Sequence, residues 1–208
     1  SLLEVLTPIA KSWPSEWCLE ANSLAIQVLG GYGYTRDFPV EQYWRDNRLN
    51  MIHEGTHGIQ ALDLLGRKVV MQEGQGLALL AQRIEATIAR AAGETHLAEH
   101  ASALSVALKR VGVATRAAWA TADAQVALAN ATPYMQAFGH VVLAWIWLDV
   151  ALCAQRLVSE AAHARAALQG KLAACRYFFR YELPRIEAWL GVVETRDDTC
   201  RSMAVEGF

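Results

Sequence analysis

The chain lacks the charge pattern and the cysteine spacing that would assign it to several common classes of protein. Its formal net charge is -2, and basic and acidic residues are interspersed, so there is neither a basic stripe for nucleic acid nor an acidic tail. Its four cysteines lie far apart, without a Cys-x-x-Cys pair or a neighbouring histidine pair. This spacing predicts neither a zinc site nor a disulfide framework. We therefore expect no bound metal, buried free thiols and a reducing, cytoplasmic compartment.

Long apolar runs are also scarce. The longest candidate, from Val141 to Leu152, contains Asp149 and follows His140, whereas a bilayer span needs about 20 apolar residues. We expect a central helix that is buried on all sides, and no membrane span. A secretory leader is not predicted either, because the acidic Glu4 stands where a leader is basic.

Strand-like alternation is almost absent, and nearly every segment repeats its apolar residues with the period of a helix. In the first such segment, Ser15 is predicted to cap a helix after a break at Pro14. Gly30 and Gly31 are predicted to end this helix as left-handed caps. The pattern as a whole predicts an all-α fold.

Two further helices are predicted before the composition changes. Pro39 is typical of a first helical turn, so it begins one of them. Gly55 interrupts the chain, and Thr56 is predicted to cap the next helix. The apolar positions of that helix are Ile59, Leu62, Leu65 and Val69.

Beyond Gly74-Gln75-Gly76 the chain is rich in alanine, and apolar or small residues recur at alternating spacings of four and three. This is the pattern of a seam between packed helices. Its members are Leu97, Ala101, Leu104, Leu108, Val111, Thr115, Ala118 and Ala122. We therefore predict two helical bundles, in residues 1–74 and 75–208, and expect both to be the tail of a longer protein.

The second bundle contains three more predicted helices. Thr132-Pro133 begins a long helix, which Gly170 is predicted to end. A further helix covers residues 171–181, and Pro184 begins the last one.

One carboxylate, Glu54, lies on a glycine-flanked turn, close in sequence to the glycine-rich end of the first helix. A buried carboxylate beside backbone that can approach a ligand is the equipment of a general base, so we expect Glu54 to be buried. The glycines at residues 30, 31 and 33 do not form a dinucleotide fingerprint, because no strand precedes them and the Gly-x-Gly-x-x-Gly spacing is absent. His53, His57 and His140 lack partners at metal-ligand spacing and are predicted to be hydrogen-bonded polar residues.

Four motifs follow one another between Gln27 and Gln60: Gln-x-x-Gly-Gly-x-Gly-Tyr, Pro-Val-Glu, Arg-Asp-x-Arg and Glu-Gly-Thr-x-x-Ile-Gln. In this order they resemble the C-terminal domain of the flavin-dependent acyl-CoA dehydrogenases. The continuation from Ala61 to Lys68 is similar to the larger bacterial branch, whose members carry an extra C-terminal helical domain. The segments 130–134 (Asn-Ala-Thr-Pro-Tyr) and 145–147 (Trp-Ile-Trp) look similar to that extra domain. The resemblance thus covers almost the whole chain.

The resemblance implies the α,β-dehydrogenation of an acyl-CoA thioester with FAD as the cofactor. Glu54 would remove the α-proton as a hydride leaves the β-carbon for the flavin N5, and Gly55 would leave room for the thioester. The adenosine diphosphate half of FAD would be contacted across a dimer interface by Gln27, Val28, Leu29, Gly30 and Gly31. The flavin of the same subunit would be contacted by Thr56, His57, Gly58 and Gln60.

The resemblance also implies partners. A homo-oligomer, either a dimer or a tetramer, is expected, and electron-transfer flavoprotein is the expected electron acceptor. In this family most of the acyl-CoA and flavin pocket is built by domains that precede the C-terminal one, so the chain alone is expected to be inactive.

Two other functions compete with this interpretation. The alanine-rich seam and the seven tryptophans would also suit a non-catalytic helical interaction or oligomerisation module. An acyl-CoA oxidase would share the proton abstraction but pass its electrons to oxygen.

Overall fold

The chain is built from helices alone in the part that the computed structural model describes, residues 2–160 and 162–207, where no β-strand occurs. The predicted all-α fold class is therefore confirmed. The α-helices are α1 (Leu2–Leu29), α2 (Val40–Arg48), α3 (His57–Asp63), α4 (Gln75–Ala92), α5 (Ala98–Ala118), α6 (Ala124–Leu128), α7 (Ala131–Leu157), α8 (Arg165–Tyr177) and α9 (Ile186–Glu194). Short π-helical turns extend α3 over Leu64–Lys68 and α8 over Phe178–Glu182.

Helix α7 lies at the centre of the fold and packs against α1, α3, α4, α5, α8 and α9. Its buried residues include Tyr134, Phe138 and Leu148, and the buried core continues from Val5 in α1 to Val193 in α9. The predicted helix is therefore central, but the expected burial on all sides is wrong, since Ile146 is 45% exposed. Whether residue 74 divides the chain into two bundles stays a prediction.

Helix α7 also meets the length and composition expected of a membrane span. Its most apolar stretch of 18 residues has a mean hydropathy of 1.8, and 56% of that stretch is buried inside the fold. The core helix of a globular protein passes the same test, so one such helix is weak evidence for a span.

Helix α1 continues through Pro14, so the predicted break before Ser15 is wrong. Because proline has no N–H, the carbonyl of Ala10 loses its helical donor. The Ser15 hydroxyl does not cap a helix and instead donates back to the carbonyl of Lys11, at 3.0 Å. The inner face of α1, beginning with Val5, is buried in the core, and this packing outweighs the local break signal.

The signals at the other helix ends of this region are mostly correct. Gly30 ends α1 with φ +58°, as predicted, but Gly31 does not have a positive φ. Pro39 immediately precedes α2, as predicted. Thr56 immediately precedes α3, although its side chain makes no capping hydrogen bond.

The predicted inner face of α3 is only half correct. Leu65 and Val69 are buried, whereas Ile59 and Leu62 are 58% and 43% exposed. The residue of α3 that faces the core is instead Ala61, and the buried face continues at Leu64 and Leu65 in the π-helical turn that follows.

The seam predicted in the alanine-rich region is confirmed for most of its members. The buried ones are Leu97, Ala101, Leu104, Val111, Thr115 and Ala118, and Leu108 packs against the core while partly exposed. Ala122 is exposed, because α5 ends at Ala118 and the chain turns there.

The predicted end of the long helix at Gly170 is wrong. Helix α7 ends at Leu157, and Gly170 lies inside α8, which folds back against α7. No glycine or proline occurs between the two helices, so the sequence carries no signal for this turn. One residue of the turn, Ala161, lies outside the described residues. Pro184 lies in the short turn before α9, as predicted.

The expectation of buried thiols is correct only for Cys175. Cys18, Cys153 and Cys200 are exposed, and all four cysteines are free. Burial raises the pKa of the Cys175 thiol to about 12, so this group stays protonated.

Gly139 and Gly170 both lie inside helices, yet alanine should act at them in opposite directions. A Cβ at Gly139 would overlap the indole ring of Trp13, so we expect Gly139→Ala to lower the free energy of unfolding by about 1–3 kcal/mol. The space at Gly170 is open, so Gly170→Ala should raise this free energy by about 0.5–1 kcal/mol through helix propensity. Urea unfolding followed by circular dichroism measures both, and effects of equal sign would contradict the role of the Trp13 contact.

Candidate active site

The site begins with a turn of two residues whose backbone lies in the left-handed region. Glu54 has φ +54° and Gly55 has φ +102°. The side-chain amide of Gln60, in α3, reaches back and donates to the carbonyl of Glu54, at 3.2 Å. A Cβ at Gly55 would lie 2.6 Å from that amide nitrogen, so only glycine fits beneath Gln60. The turn is therefore held in one conformation by a residue of the motif itself.

The carboxylate of Glu54 is exposed, so the expectation that it is buried is wrong for this chain. Within the described residues it makes no side-chain hydrogen bond and no ion pair. Its backbone lies in the left-handed region, with φ +54°. A non-glycine residue in this conformation is uncommon, and such outliers often mark functional sites.

Two further motif residues leave their surfaces open. Thr56 is exposed, and its hydroxyl is not used to cap α3. Gly58 has nothing within 4 Å of the position where a Cβ would stand. Both residues can therefore be approached from outside the chain, beside the Glu54 turn.

His57 is directed inward and not towards the open side of the turn. Its Nδ1 lies 2.5 Å from the hydroxyl of Ser12 in α1, and its Nε2 lies 3.6 Å from a carboxylate oxygen of Glu16. Burial lowers the pKa of His57; the Glu16 carboxylate opposes this effect, and Lys11 and Arg48 add to it. The imidazole is thus neutral, with its proton assigned to Nε2, facing the carboxylate.

The predicted cofactor residues at the end of α1 form a separate exposed group. Gln27, Val28, Gly30 and Gly31 are exposed, and Leu29 is half-buried. The positive φ explains the glycine at position 30. Gly31 has neither a positive φ nor a neighbour within 4 Å of its missing Cβ, so nothing in the described fold requires glycine there.

The structure does not bring the two groups of predicted cofactor residues together. His57 lies beside Glu16, and Gln27 is further along the same helix by about 16 Å, at about 1.5 Å per residue. One chain therefore offers two separate surfaces, one beside the Glu54 turn and one at the end of α1.

Sequence reasoning missed a set of polar contacts between α1 and α7 that reaches the site. Gln136 donates from its amide to Glu16 and accepts from the indole N–H of Trp17, at 3.2 Å. Glu16 in turn faces His57. The sequence does show Glu16 and Trp17 next to each other on one helix, and Gln136 and His140 one turn apart on another. It does not show that the two helices meet at these residues, because that contact joins positions about 120 residues apart.

His140 is fully buried one turn further along α7. The indole N–H of Trp13 donates to its Nδ1, at 2.9 Å, and its Nε2 lies 3.4 Å from a carboxylate oxygen of Glu182. The same Nδ1 also lies 3.1 Å from the carbonyl of Gln136, which can only accept, so these two contacts call for opposite tautomers of the ring. Burial lowers the pKa of His140, while its contact with Glu182 opposes that effect. As predicted, His140 and His57 are hydrogen-bonded polar residues; no group of metal-ligating side chains occurs among the residues described.

The chain is all-α in its described part, and it presents a glutamate on a glycine-containing turn after a helix that ends in glycines. These features agree with the C-terminal helical domain that the motifs resemble. Residues 3–70 match the family described as acyl-CoA dehydrogenase, C-terminal domain. Residues 80–204 match the family described as acetyl-CoA dehydrogenase C-terminal like. The chain belongs to the acyl-CoA dehydrogenase family.

Curated relatives align along most of the chain. The broad-specificity linear acyl-CoA dehydrogenase FadE5 of Mycobacterium tuberculosis is 28% identical over 99% of this chain and 35% of its own length. The 3-methylmercaptopropionyl-CoA dehydrogenase of Ruegeria pomeroyi is 32% identical over 90% of this chain and 32% of its own length. A butyryl-CoA dehydrogenase of Syntrophomonas wolfei is 26% identical over 97% of this chain and 34% of its own length. The chain thus spans about a third of the length of the curated relatives it matches.

Acidification should destabilise the chain through its buried histidines. Burial lowers the pKa of His57, His100 and His140 below the unfolded value of about 6.5, so the unfolded chain binds more protons in acid. The contribution of these histidines to the free energy of unfolding is therefore fully present above about pH 6.5 and is lost as the pH drops through their folded-state pKa values. We expect a lower free energy of unfolding at about pH 5.5 than at about pH 7.5. His140→Gln should make the pH dependence shallower, and a pH-independent wild type would contradict this.

Alanine at Gly55 should disturb the Glu54 turn. The backbone at φ +102° is closed to residues with a Cβ, and that Cβ would displace the amide of Gln60. We expect Gly55→Ala to lower the free energy of unfolding by about 1–3 kcal/mol and to release the Gln60 side-chain amide, which NMR detects by its faster exchange. Gly31→Ala, in open space, is the control: it should not lower the free energy of unfolding and should leave the exchange of the Gln60 side-chain amide unchanged.

Proposed function

We propose that this chain is the C-terminal part of an FAD-dependent acyl-CoA dehydrogenase in which Glu54 abstracts the α-proton of an acyl-CoA thioester. The observation that carries the proposal is the exposed carboxylate of Glu54 on a turn fixed by Gln60, in a chain of this family. The relatives, which include a butyryl-CoA dehydrogenase, support the reaction class.

The chemistry accounts for the residue types. An α C–H bond is a poor acid, so its ionisation needs a positioned carboxylate and donors to the thioester oxygen, where enolate charge develops. The backbone N–H of Glu54 has no hydrogen-bond partner among the described residues, so it is free to donate to that oxygen. Gly55 would leave room for the thioester beside the base.

The residues present fit an FAD site in two parts. FAD, when bound, would supply the acceptor for the hydride that leaves the β-carbon. The surfaces of Thr56 and Gly58 would face the flavin of the same subunit, with Gln60 beside them. Because the imidazole of His57 is engaged with Ser12, its contribution would come from its backbone.

The second part of the FAD site would come from another subunit. Gln27, Val28, Leu29, Gly30 and Gly31 would contact the adenosine diphosphate half across a dimer interface. Their separation from the Glu54 turn and the bare backbone at Gly31 support this division. A homo-oligomer, and electron-transfer flavoprotein as the electron acceptor, are part of the same proposal.

Exposed apolar side chains support the view that other polypeptide covers this region. Half of the large exposed apolar residues of the described chain lie between residues 24 and 62, and Val28 is 85% exposed. Such concentration is typical of surfaces that are buried in an assembly. We propose that domains and subunits beyond this chain cover them, and that catalysis requires those domains. The same surface is what favours the alternative, a non-catalytic oligomerisation module.

Glu54→Gln in the complete enzyme tests the proposed base. An amide cannot accept the α-proton, so we expect the turnover of acyl-CoA to fall by about 10²–10⁴-fold while bound FAD, measured by its absorbance, is unchanged. Glu73→Gln is the matched control, since Glu73 is also exposed and has φ +55°.

Retained turnover would reject Glu54 as the base. No turnover and no bound FAD in the wild-type complete protein would favour the interaction module, and oxygen consumption would indicate an oxidase.

A further inference from the structure

We propose that Gln136, in the central helix α7, is a positioning residue for the Glu54 turn: through Glu16 it holds the imidazole of His57, and with it the start of α3. This inference rests on the proposed role of Glu54, but the contacts that carry it are independent of that role.

The first step is the anchoring of α3 by its first residue. His57 follows Glu54 by three positions, and its ring bridges from α3 to α1. The ring contacts the hydroxyl of Ser12, a residue that is only 1% exposed, at 2.5 Å. A bond to a buried group on another helix fixes the beginning of α3, where the chain leaves the turn.

The second step is the carboxylate behind the ring. Glu16 lies 3.6 Å from His57 Nε2, just beyond hydrogen-bond length, and that nitrogen is buried without any other partner among the described residues. The Glu16 carboxylate therefore acts on this nitrogen by electrostatic attraction and not through a hydrogen bond. The orientation of Glu16 therefore decides whether the ring is held as observed.

The third step is the control of Glu16 by α7. The amide of Gln136 donates to the same oxygen, Oε2, that faces His57, while its carbonyl accepts from Trp17. Trp17 lies one residue after Glu16, so Gln136 is held at both ends by adjacent residues of α1. A side chain fixed in this way can orient a carboxylate and not merely contact it.

The last step is how the turn itself is held. The Glu54 side chain has no partner of its own in the described chain, and its backbone is held by Gln60, which belongs to the first turns of α3. A second bond, from Lys11 to the carbonyl of Asn50, holds the segment before the turn. The orientation of α3 therefore sets the position of the Glu54 carboxylate. Gln136, in α7, influences that orientation through Glu16 and His57.

Gln136→Leu is the direct test. In the chain of residues 1–208, the backbone N–H of Gln60 reports on the start of α3, because it donates to the carbonyl of Thr56 at 3.0 Å. We expect its hydrogen exchange to accelerate by about tenfold. In the complete enzyme we expect kcat to fall by about 10- to 100-fold with KM for acyl-CoA little changed, because a misaligned base slows the chemical step. Gln82→Leu, at an exposed position of α4, should change none of these.

A charge exchange provides the rescue. Gln136→Glu places two carboxylates side by side and should reproduce the defect. Adding Glu16→Gln to it restores one donor and one acceptor between α1 and α7 and leaves an acceptor for Trp17. The new amide N–H faces Nε2 of His57, whose proton then moves to Nδ1 and is accepted by Ser12, so the double variant should recover most of the exchange protection and of kcat. Since Glu16→Gln removes the charge that raises the pKa of His57, an NMR titration of the chain with Glu16→Gln alone should give a lower pKa for that ring than in the wild type.

Several outcomes would overturn the proposal. Unchanged exchange at Gln60 in Gln136→Leu would mean that α3 does not depend on Gln136. A rise in KM with kcat unchanged would indicate a disturbed binding surface instead of a misplaced base, and a defect that Glu16→Gln fails to relieve would exclude coupling through Glu16. The exchange and titration measurements hold even if Glu54→Gln shows that the proposed function is wrong, so the two failures are distinguishable.

Discussion

The contact between Trp13 and Gly139 is the constraint on which the rest of the structure depends. Helix α7 presents bare backbone at Gly139, and the indole of Trp13 in α1 fills that space while its N–H donates to buried His140. A tryptophan buries a large apolar area, and it can lie this close to a helix only where a side chain is missing. Because this contact fixes the rotation of α1 about its own axis, it determines which side of α1 faces His57.

Helix α1 carries this constraint from the core to both parts of the proposed cofactor site. Its first half packs in the core, and its middle holds His57 through Ser12. Its last turn and the two glycines that follow present the residues from Gln27 to Gly31, of which all but Leu29 are exposed. A helix is stiff over this length, so the two surfaces keep a fixed spacing although they do not touch. The continuity of α1 through Pro14 is essential here, because a break at that point would separate the glycine-rich end from the core.

Local signals predicted the features that depend on local chemistry. The helix starts after Pro39 and Thr56, the glycine cap at Gly30 and most of the α5 seam follow from capping and periodicity, and all are present. The failures have long-range causes: core packing keeps α1 intact at Pro14, and α8 folds back at a turn without any breaker. The motif order led to the Glu54 turn, but the Glu16–Gln136 pairing joins residues that are distant in sequence, so no local rule could find it.

The polar contacts between α1 and α7 determine their register more than their stability. A hydrogen bond inside a protein contributes only about 0.5–1.5 kcal/mol net, whereas a buried polar group left unpaired costs about 1–3 kcal/mol. Sliding α1 by one residue, about 1.5 Å, would unpair the indole N–H of Trp13 and the amide of Gln136 together. Apolar packing alone would tolerate such a shift better. The register that places Ser12 and Glu16 against His57 is therefore specified by α7, which makes the C-terminal helices part of the architecture of the site.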